Sequence, residues 1–416
     1  MRSAFFSIDE QNMLGSFILK NTVMCFNRKL PRFKTQIACL SLIINYNIFM
    51  AYFFLAVPIF LVSCTPSTFT IGLMAGLSGI NSDLGISGRN GALLAIEEIN
   101  NTRSFDEPQW FLEEWDDKNQ ESRVKEGLAY FDQQKIGIII GPYVSAMGEV
   151  AIEKALEFDL FLISPSISST IFDNRDDPLF RLTPSLKDLA SKMGEFVNSQ
   201  LNSKRIIFVY DLTNREYGES YYENFKNSVP TLSERIIQKF PVDTSQEIDW
   251  KNFVNQILSE KPDAIVLVLA GRYAALLTQL LRQNNYQGDF LLSSLATIGD
   301  SIAWAGESYD RAYLCTYLAN FEADPELLSF KSRYLQRFGS EPSFSSFYSY
   351  AAIITLHRVL KGRWSYPGWK TLGQWIRDLP PQPIYGKIFQ FNQYGDQGGS
   401  ARIYQIVRGK LTAVDF

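Results

Sequence analysis

The feature that most constrains this chain is a series of short apolar runs that are continuous rather than alternating. They are T-I-G-L-M-A ending at Ala75, I-G-I-I-I ending at Ile140, L-F-L-I ending at Ile163, I-I-F-V-Y ending at Tyr210, A-I-V-L-V-L-A ending at Ala270 and F-L-L ending at Leu292. An alternating strand buries one face, whereas a strand apolar at every position is buried on both, as inside a parallel sheet covered by helices. The segments between the runs are amphipathic. In D-W-K-N-F-V-N-Q-I-L-S-E, for example, Trp250, Phe253, Val254, Ile257 and Leu258 share one helical side. Strands alternating with helices predict an α/β fold with crossover connections. There are too many strands for one modest sheet, and 416 residues suffice for two or three domains, so two α/β lobes are expected.

In open parallel sheets, ligands lie beyond the carboxyl ends of the strands. The loops there read G-L-S-G-I-N-S-D-L-G, G-P-Y-V-S-A-M, S-P-S-I-S-S-T, D-L-T-N-R-E-Y-G, A-G-R-Y and S-S-L-A-T. They supply hydroxyls and backbone N–H groups at helix starts, which suits a carboxylate or another small polar ligand.

The N-terminus places this fold in a compartment. From Ile37 to Val62 the sequence is almost free of charge, and R-K-L-P-R-F-K precedes it, which is the layout of a secretory signal. The run ends in Leu61-Val62-Ser63-Cys64, which resembles a bacterial lipobox, so Cys64 is the expected lipid attachment site. A retained transmembrane helix is the alternative. A start near Met24 would already give a complete signal, so residues 1–63 are read as a signal peptide with an overlong extension. Without them, 34 basic residues face 42 acidic ones, a balance that disfavours nucleic acid. Only Cys64 and Cys315 then remain, so stability rests on the hydrophobic core rather than on disulfides.

Taken in order, these loops resemble the type I periplasmic binding proteins of the leucine/isoleucine/valine and amide group, the solute receptors of ABC transporters. The matching segments are Ile71–Gly79, Gly88–Asn100, Ile139–Ser145, Leu162–Ser169, Phe180–Ser185, Val209–Asp211 and Tyr217-Gly218. The resemblance implies two Rossmann-like lobes with parallel sheets joined by a three-strand hinge, a Venus-flytrap that closes over its ligand. Lobe 1 would span residues 68–185 plus 317–384, and lobe 2 residues 186–316 plus 385–416. It implies ligand contacts at Ser145, Ile167, Ser168 and Tyr217, and in the loop from Gly271 to Tyr273, with Tyr143 at the cleft. The family's amino-acid binders place an acidic residue where this chain has Leu295, which leaves Asp211 or Asp300 to meet an ammonium. Trp304 nearby suits an aromatic, amide or other neutral ligand.

Helix capping is the competing role for Ser145, Ser168 and Asp211, and Arg181 is read as a structural pair near the hinge. No enzyme activity, cofactor or metal is expected. The only histidine, His357, lies among apolar residues without a nucleophile beside it, and Asp116-Asp117 and Asp176-Asp177 read as solvated loop charge. The expected protein is a monomeric, lipid-anchored solute receptor in the periplasm or on the cell surface, delivering an amino-acid-like or amide-like ligand to an ABC permease. Two alternatives stay open, a sensory lipoprotein serving a kinase or chemoreceptor, and an interaction lipoprotein such as an activator of penicillin-binding proteins.

Overall fold

The computed structural model describes residues 68–79, 82–201, 203–318, 321 and 324–416. The signal segment and Cys64 lie outside the described residues, among which no helix is long and apolar enough to cross a membrane. Pro66–Phe416 forms one compact unit.

The chain first builds β1 (Thr68–Ala75), α1 (Ser82–Thr102), β2 (Gln109–Asp116), α2 (Glu121–Gln133), β3 (Ile138–Ile140), α3 (Gly148–Glu157), β4 (Phe161–Ser164) and β5 (Leu179–Arg181). These strands form a five-stranded sheet in the order β2-β1-β3-β4-β5, and every pairing is parallel. The second series is α4 (Leu186–Phe196), β6 (Ile206–Asp211), α5 (Arg215–Asn227), α6 (Leu232–Arg235), β7 (Ile236–Val242), α7 (Trp250–Ser259), β8 (Ala264–Val268), α8 (Gly271–Gln283), β9 (Asp289–Leu292), α9 (Ser301–Ala305) and β10 (Tyr313–Thr316). Next come α10 (Pro325–Phe338), α11 (Phe344–Leu360), α12 (Trp369–Arg377), the hairpin β11 (Gln382–Ile384) and β12 (Lys387–Phe389), and finally β13 (Arg402–Val407) and β14 (Lys410–Ala413).

The second sheet runs β14-β13-β10-β9-β8-β6-β7. Its strands β7 to β10 pair in parallel, while β13 and β14 add on antiparallel, so this sheet is mixed rather than wholly parallel. One core packs about the first sheet, and two others cover opposite faces of the second. In the first lobe α1 crosses α11 so closely that a Cβ at Gly91 would run into the Ser346 carbonyl oxygen. The G-R-N-G stretch is therefore a packing requirement rather than a loop.

The chain passes between the sheets three times, after β5, after β10 and between β12 and β13. The sequence boundary at 384/385 falls inside the β11–β12 hairpin, whose Phe389 packs into the first core. Arg181, 1% exposed, gathers the first and third passages. Its Nε donates to Asp396 Oδ1 at 2.8 Å, one Nη to Asp173 Oδ1 at 2.7 Å and the other to the Ser169 carbonyl at 3.1 Å. Its backbone N–H donates to the Gly395 carbonyl, and its carbonyl accepts from the Gln397 N–H. The second passage joins through Tyr317, whose hydroxyl donates to the Ser185 carbonyl at 2.5 Å, while Ser185 Oγ donates to Asp173 at 2.8 Å.

Removing one partner from a buried ion cluster leaves the others uncompensated, at a cost of about 3–5 kcal/mol. Arg181→Met should therefore lower unfolding stability by that order in a urea titration, with Arg181→Lys intermediate. A loss below about 1 kcal/mol would show that the hinge does not depend on this residue.

Candidate functional site

The strand ends of the two sheets face each other, and their loops are held by side chains of the same loops. Ser164, at the end of β4, donates to the Pro142 carbonyl at 2.7 Å and accepts from the Ile167 N–H at 3.0 Å. Ser166 donates to the Tyr143 carbonyl and Thr183 to the Pro165 carbonyl. The G-P-Y-V-S and S-P-S-I-S-S loops are thus laced into one unit. The hydroxyls of Ser164 and Ser166 are occupied in that lacing, and so is the Ile167 N–H expected to meet a ligand.

After β2, Asp116 accepts from the N–H groups of Leu77 and Lys118 at 2.8 and 3.1 Å, and Asp117 accepts from the Asn119 N–H at 2.8 Å. Lys118 and Asn119 both have positive φ, and Asn119 folds over Gly76, where any Cβ would collide with its amide. The reading of the two acidic pairs as solvated charge holds for Asp176, which is exposed, but fails for one member of each pair. Asp117 is 1% exposed and Asp177 is also buried. Burial pushes the Asp117 carboxyl up to about 7 and that of Asp177 up to about 6. Both carboxyls sit under the loops they cap, which hold them away from water.

Between the lobes lies a cavity of about 50 Å³. Asp83, Leu84, Asn119 and Val144 line it from the first lobe, and Asp211, Thr213, Asn214 and Tyr217 are among those lining it from the second. Gly271 and Leu295 also reach it. A Cβ at Gly271 would run into the Ile298 carbonyl and Ser301, so α8 starts flush against the wall. The lobes touch around this cavity. Arg272 Nη lies 3.3 Å from Asp83 Oδ2, the Ala146 N–H donates to Asn214 Oδ1 at 3.2 Å, and Ser169 Oγ donates to the Glu216 carbonyl at 3.0 Å. The Thr170 N–H adds a bond to Ser220 Oγ at 2.9 Å.

Of the residues singled out by sequence, Tyr217, Gly271 and Leu295 therefore meet at the cavity. Ser145 follows the lining residue Val144 and carries a buried hydroxyl without a hydrogen-bond partner, whereas the buried Tyr217 hydroxyl lies beside those of Ser293 and Ser294. Burial pushes the Tyr217 phenol up to about 12, so it stays a neutral donor. Ile167 and Ser168 are buried in the laced loop and are not among the lining residues. Tyr143 packs into the first core with its hydroxyl 2.7 Å from Ser349 Oγ. Tyr273 turns away to stack on Trp250, with its hydroxyl on the Thr244 carbonyl.

Asp211 lines the cavity, but its carboxylate is bonded to the Thr213 N–H and to Thr244 Oγ1 at 2.6 Å, so it caps a turn. Asp300 and Trp304 are not among the lining residues, and Trp304 is solvent-exposed. Asp83 and Asn214 lie in loops that the sequence marked as ligand-facing without singling them out, and Asn119, two residues after Asp117, lay outside those loops. Among the described residues no group of three or more His, Cys, Asp or Glu side chains is placed to hold a metal.

Residues 68–410 match the periplasmic binding protein family, and the chain belongs to that family. Its fold is that of the type I periplasmic binding proteins. The leucine-binding protein LivK of Thermotoga maritima superposes with a TM-score of 0.72 at 20% identity, covering 83% of this chain and 98% of its own. LivJ of Streptococcus pneumoniae, a branched-chain amino acid transporter substrate-binding protein solved with isoleucine, gives 0.74 at 18% identity, covering 83% and 98%. A solute-binding protein of an ABC transporter from R. palustris, solved with benzoate, gives 0.74 at 15% identity, covering 84% and 96%. No curated protein matches the sequence.

The buried Asp117 yields a pH prediction. Its folded pKa lies above the unfolded value, so the folded state binds the extra proton between about pH 4 and 7, and stability falls as pH rises through that window. The Asp117→Asn variant keeps the acceptor for Asn119 and should lose up to about 1.4 kcal/mol of slope per pH unit there. Denaturant titrations at pH 5, 6 and 7 check this, and equal slopes for variant and parent would place the Asp117 proton elsewhere.

Proposed function

We propose that this protein captures a small, amino-acid-like or amide-like solute between its lobes and presents the closed form to an ABC permease. The observation that carries this is the cavity shared by the two lobes, lined by Tyr217 from the second and by Val144 from the first, with the buried, unpartnered Ser145 hydroxyl next to Val144. Buried hydroxyls are ordinarily bonded, and a polar solute reaching from one lobe to the other would satisfy that of Ser145. Leu84, Val144, Val268, Leu295 and Ile298 would enclose its apolar part.

The lobes are divided at the three passages, near residues 185, 317 and 390. The laced loop containing Ile167 and Ser168 shapes the first wall, with Tyr143 behind it and Tyr273 supporting the second. Without an acid at Leu295, Asp83 is the carboxylate nearest to serving a ligand ammonium, and it shares Arg272. Lipidation at Cys64 would hold the monomer at the outer side of a membrane. The known ligands of structural neighbours, isoleucine and benzoate, support a small organic solute of either charge pattern.

A thermal-shift screen of the mature protein against amino acids, amides, urea derivatives and aromatic acids tests this. A ligand at 100 times its Kd should add about 2.7 kcal/mol of apparent stability, and Tyr217→Phe should weaken binding by roughly tenfold, the loss of about one good hydrogen bond. If ligand-stripped protein responds to no compound in the screen, the solute reading fails and a protein partner takes its place.

A further inference from the structure

We propose that the amino-terminal pole of the first lobe rests on the lipid surface, with Phe105 and Phe111 as its contact residues. This rests on the lipidation of Cys64 proposed above. Cys64 lies four residue steps before Thr68, with Thr65, Pro66 and Ser67 between them, and an extended chain spans at most about 3.6 Å per step. The start of β1 is therefore tethered within about 14 Å of the acylated cysteine.

That short leash selects one face of the molecule. Thr68 pairs with Gln109, so the loop 103–108 leading into β2 lies at the same pole. Phe105 in this loop is 83% exposed, the most exposed of the large apolar side chains described, and Phe111 two residues into β2 is 44% exposed. Behind them Trp110 touches Phe69, His357 and Trp364 at ring centroid distances of 5.0, 5.4 and 6.2 Å, a rigid aromatic backing. Trp, Phe and Leu are the side chains by which surface-bound elements sink into the headgroup boundary of a membrane.

Lys361, 3.5 Å from Glu107, and Arg363, stacked over Trp375 at 4.3 Å, are exposed in the loop that carries Trp364. Their stems can lie along apolar surface while the charges reach headgroups. Asp106, Glu107 and Glu113 offset these cations, so the contact is aromatic first and electrostatic second. A protein partner for the same patch would have to fit inside the tether, whereas the bilayer is brought there by the anchor itself. The strand ends that bear the cleft lie one strand length away, roughly 26 Å for eight residues. The second lobe then stays clear of the surface and free to move.

The test uses the mature, lipidated protein in phosphatidylethanolamine/phosphatidylglycerol vesicles containing lipid with a nitroxide near the headgroup. A fluorophore is attached through Phe105→Cys or, as control near the cleft, Ser245→Cys. Cys315 is buried and does not compete for label. Quenching at position 105 at least threefold that at 245 is expected, with the same result for Phe111→Cys at smaller amplitude. Equal, weak quenching at both sites in protein that floats with the vesicles would overturn the resting surface while leaving the anchor intact. Protein that does not float with the vesicles would overturn the anchor and this proposal with it.

Discussion

The guanidinium of Arg181 is the point on which the rest of the structure turns. Removing a cation from water carries a penalty of several kcal/mol, returned only when carboxylates and carbonyls surround it with good geometry. Here Asp173 and the Ser169 carbonyl from the loop after β4, and Asp396 from the return segment, do so. The requirement to satisfy one buried charge brings together the end of the first sheet, the loop after β4 and the return segment from the β11–β12 hairpin. Tyr317 and Ser185 attach the remaining passage to the same cluster. Any hinge motion of one lobe against the other has its fixed end here, because all three connecting strands are bonded within it.

The parts of the fold legible in the sequence are those where burial is two-sided. β3, β4, β6 and β8 are apolar at nearly every position, and all are buried along their length. β2, Q-W-F-L-E-E-W-D, pairs only with β1 at the sheet edge and carries two glutamates. β13 and β14 finish the second sheet with polar and exposed positions, so neither shows the signature of an interior strand. The continuous apolar pattern marks the interior of each sheet and is silent about its edges.

The site was legible at the level of loops but not of side chains. A serine in a cleft loop looks the same in sequence whether it faces a ligand or ties two loops together, and Ser164 and Ser166 do the latter. Aromatic residues divide similarly. Tyr143 and Tyr273 flank the same strand ends as Tyr217, yet the first fills the space left by Gly88 and the second finds Trp250 to stack on. Asp117 shows the reverse error. Two adjacent acids suggest solvent, but Asp116 is drawn out to cap the first loop, which buries its neighbour.

Closure itself follows from unequal terms. The visible interlobe bonds are few, and the Asp83–Arg272 pair is about a third exposed on each side, a setting in which an ion pair contributes about 0–1 kcal/mol. Against them stands the Ser145 hydroxyl, a group that costs about 1–3 kcal/mol when buried without a partner. The proposed solute, bonding to Ser145 and Tyr217, would add gains that are realised only when both lobes reach it. That difference between states is what allows a ligand to shift the equilibrium.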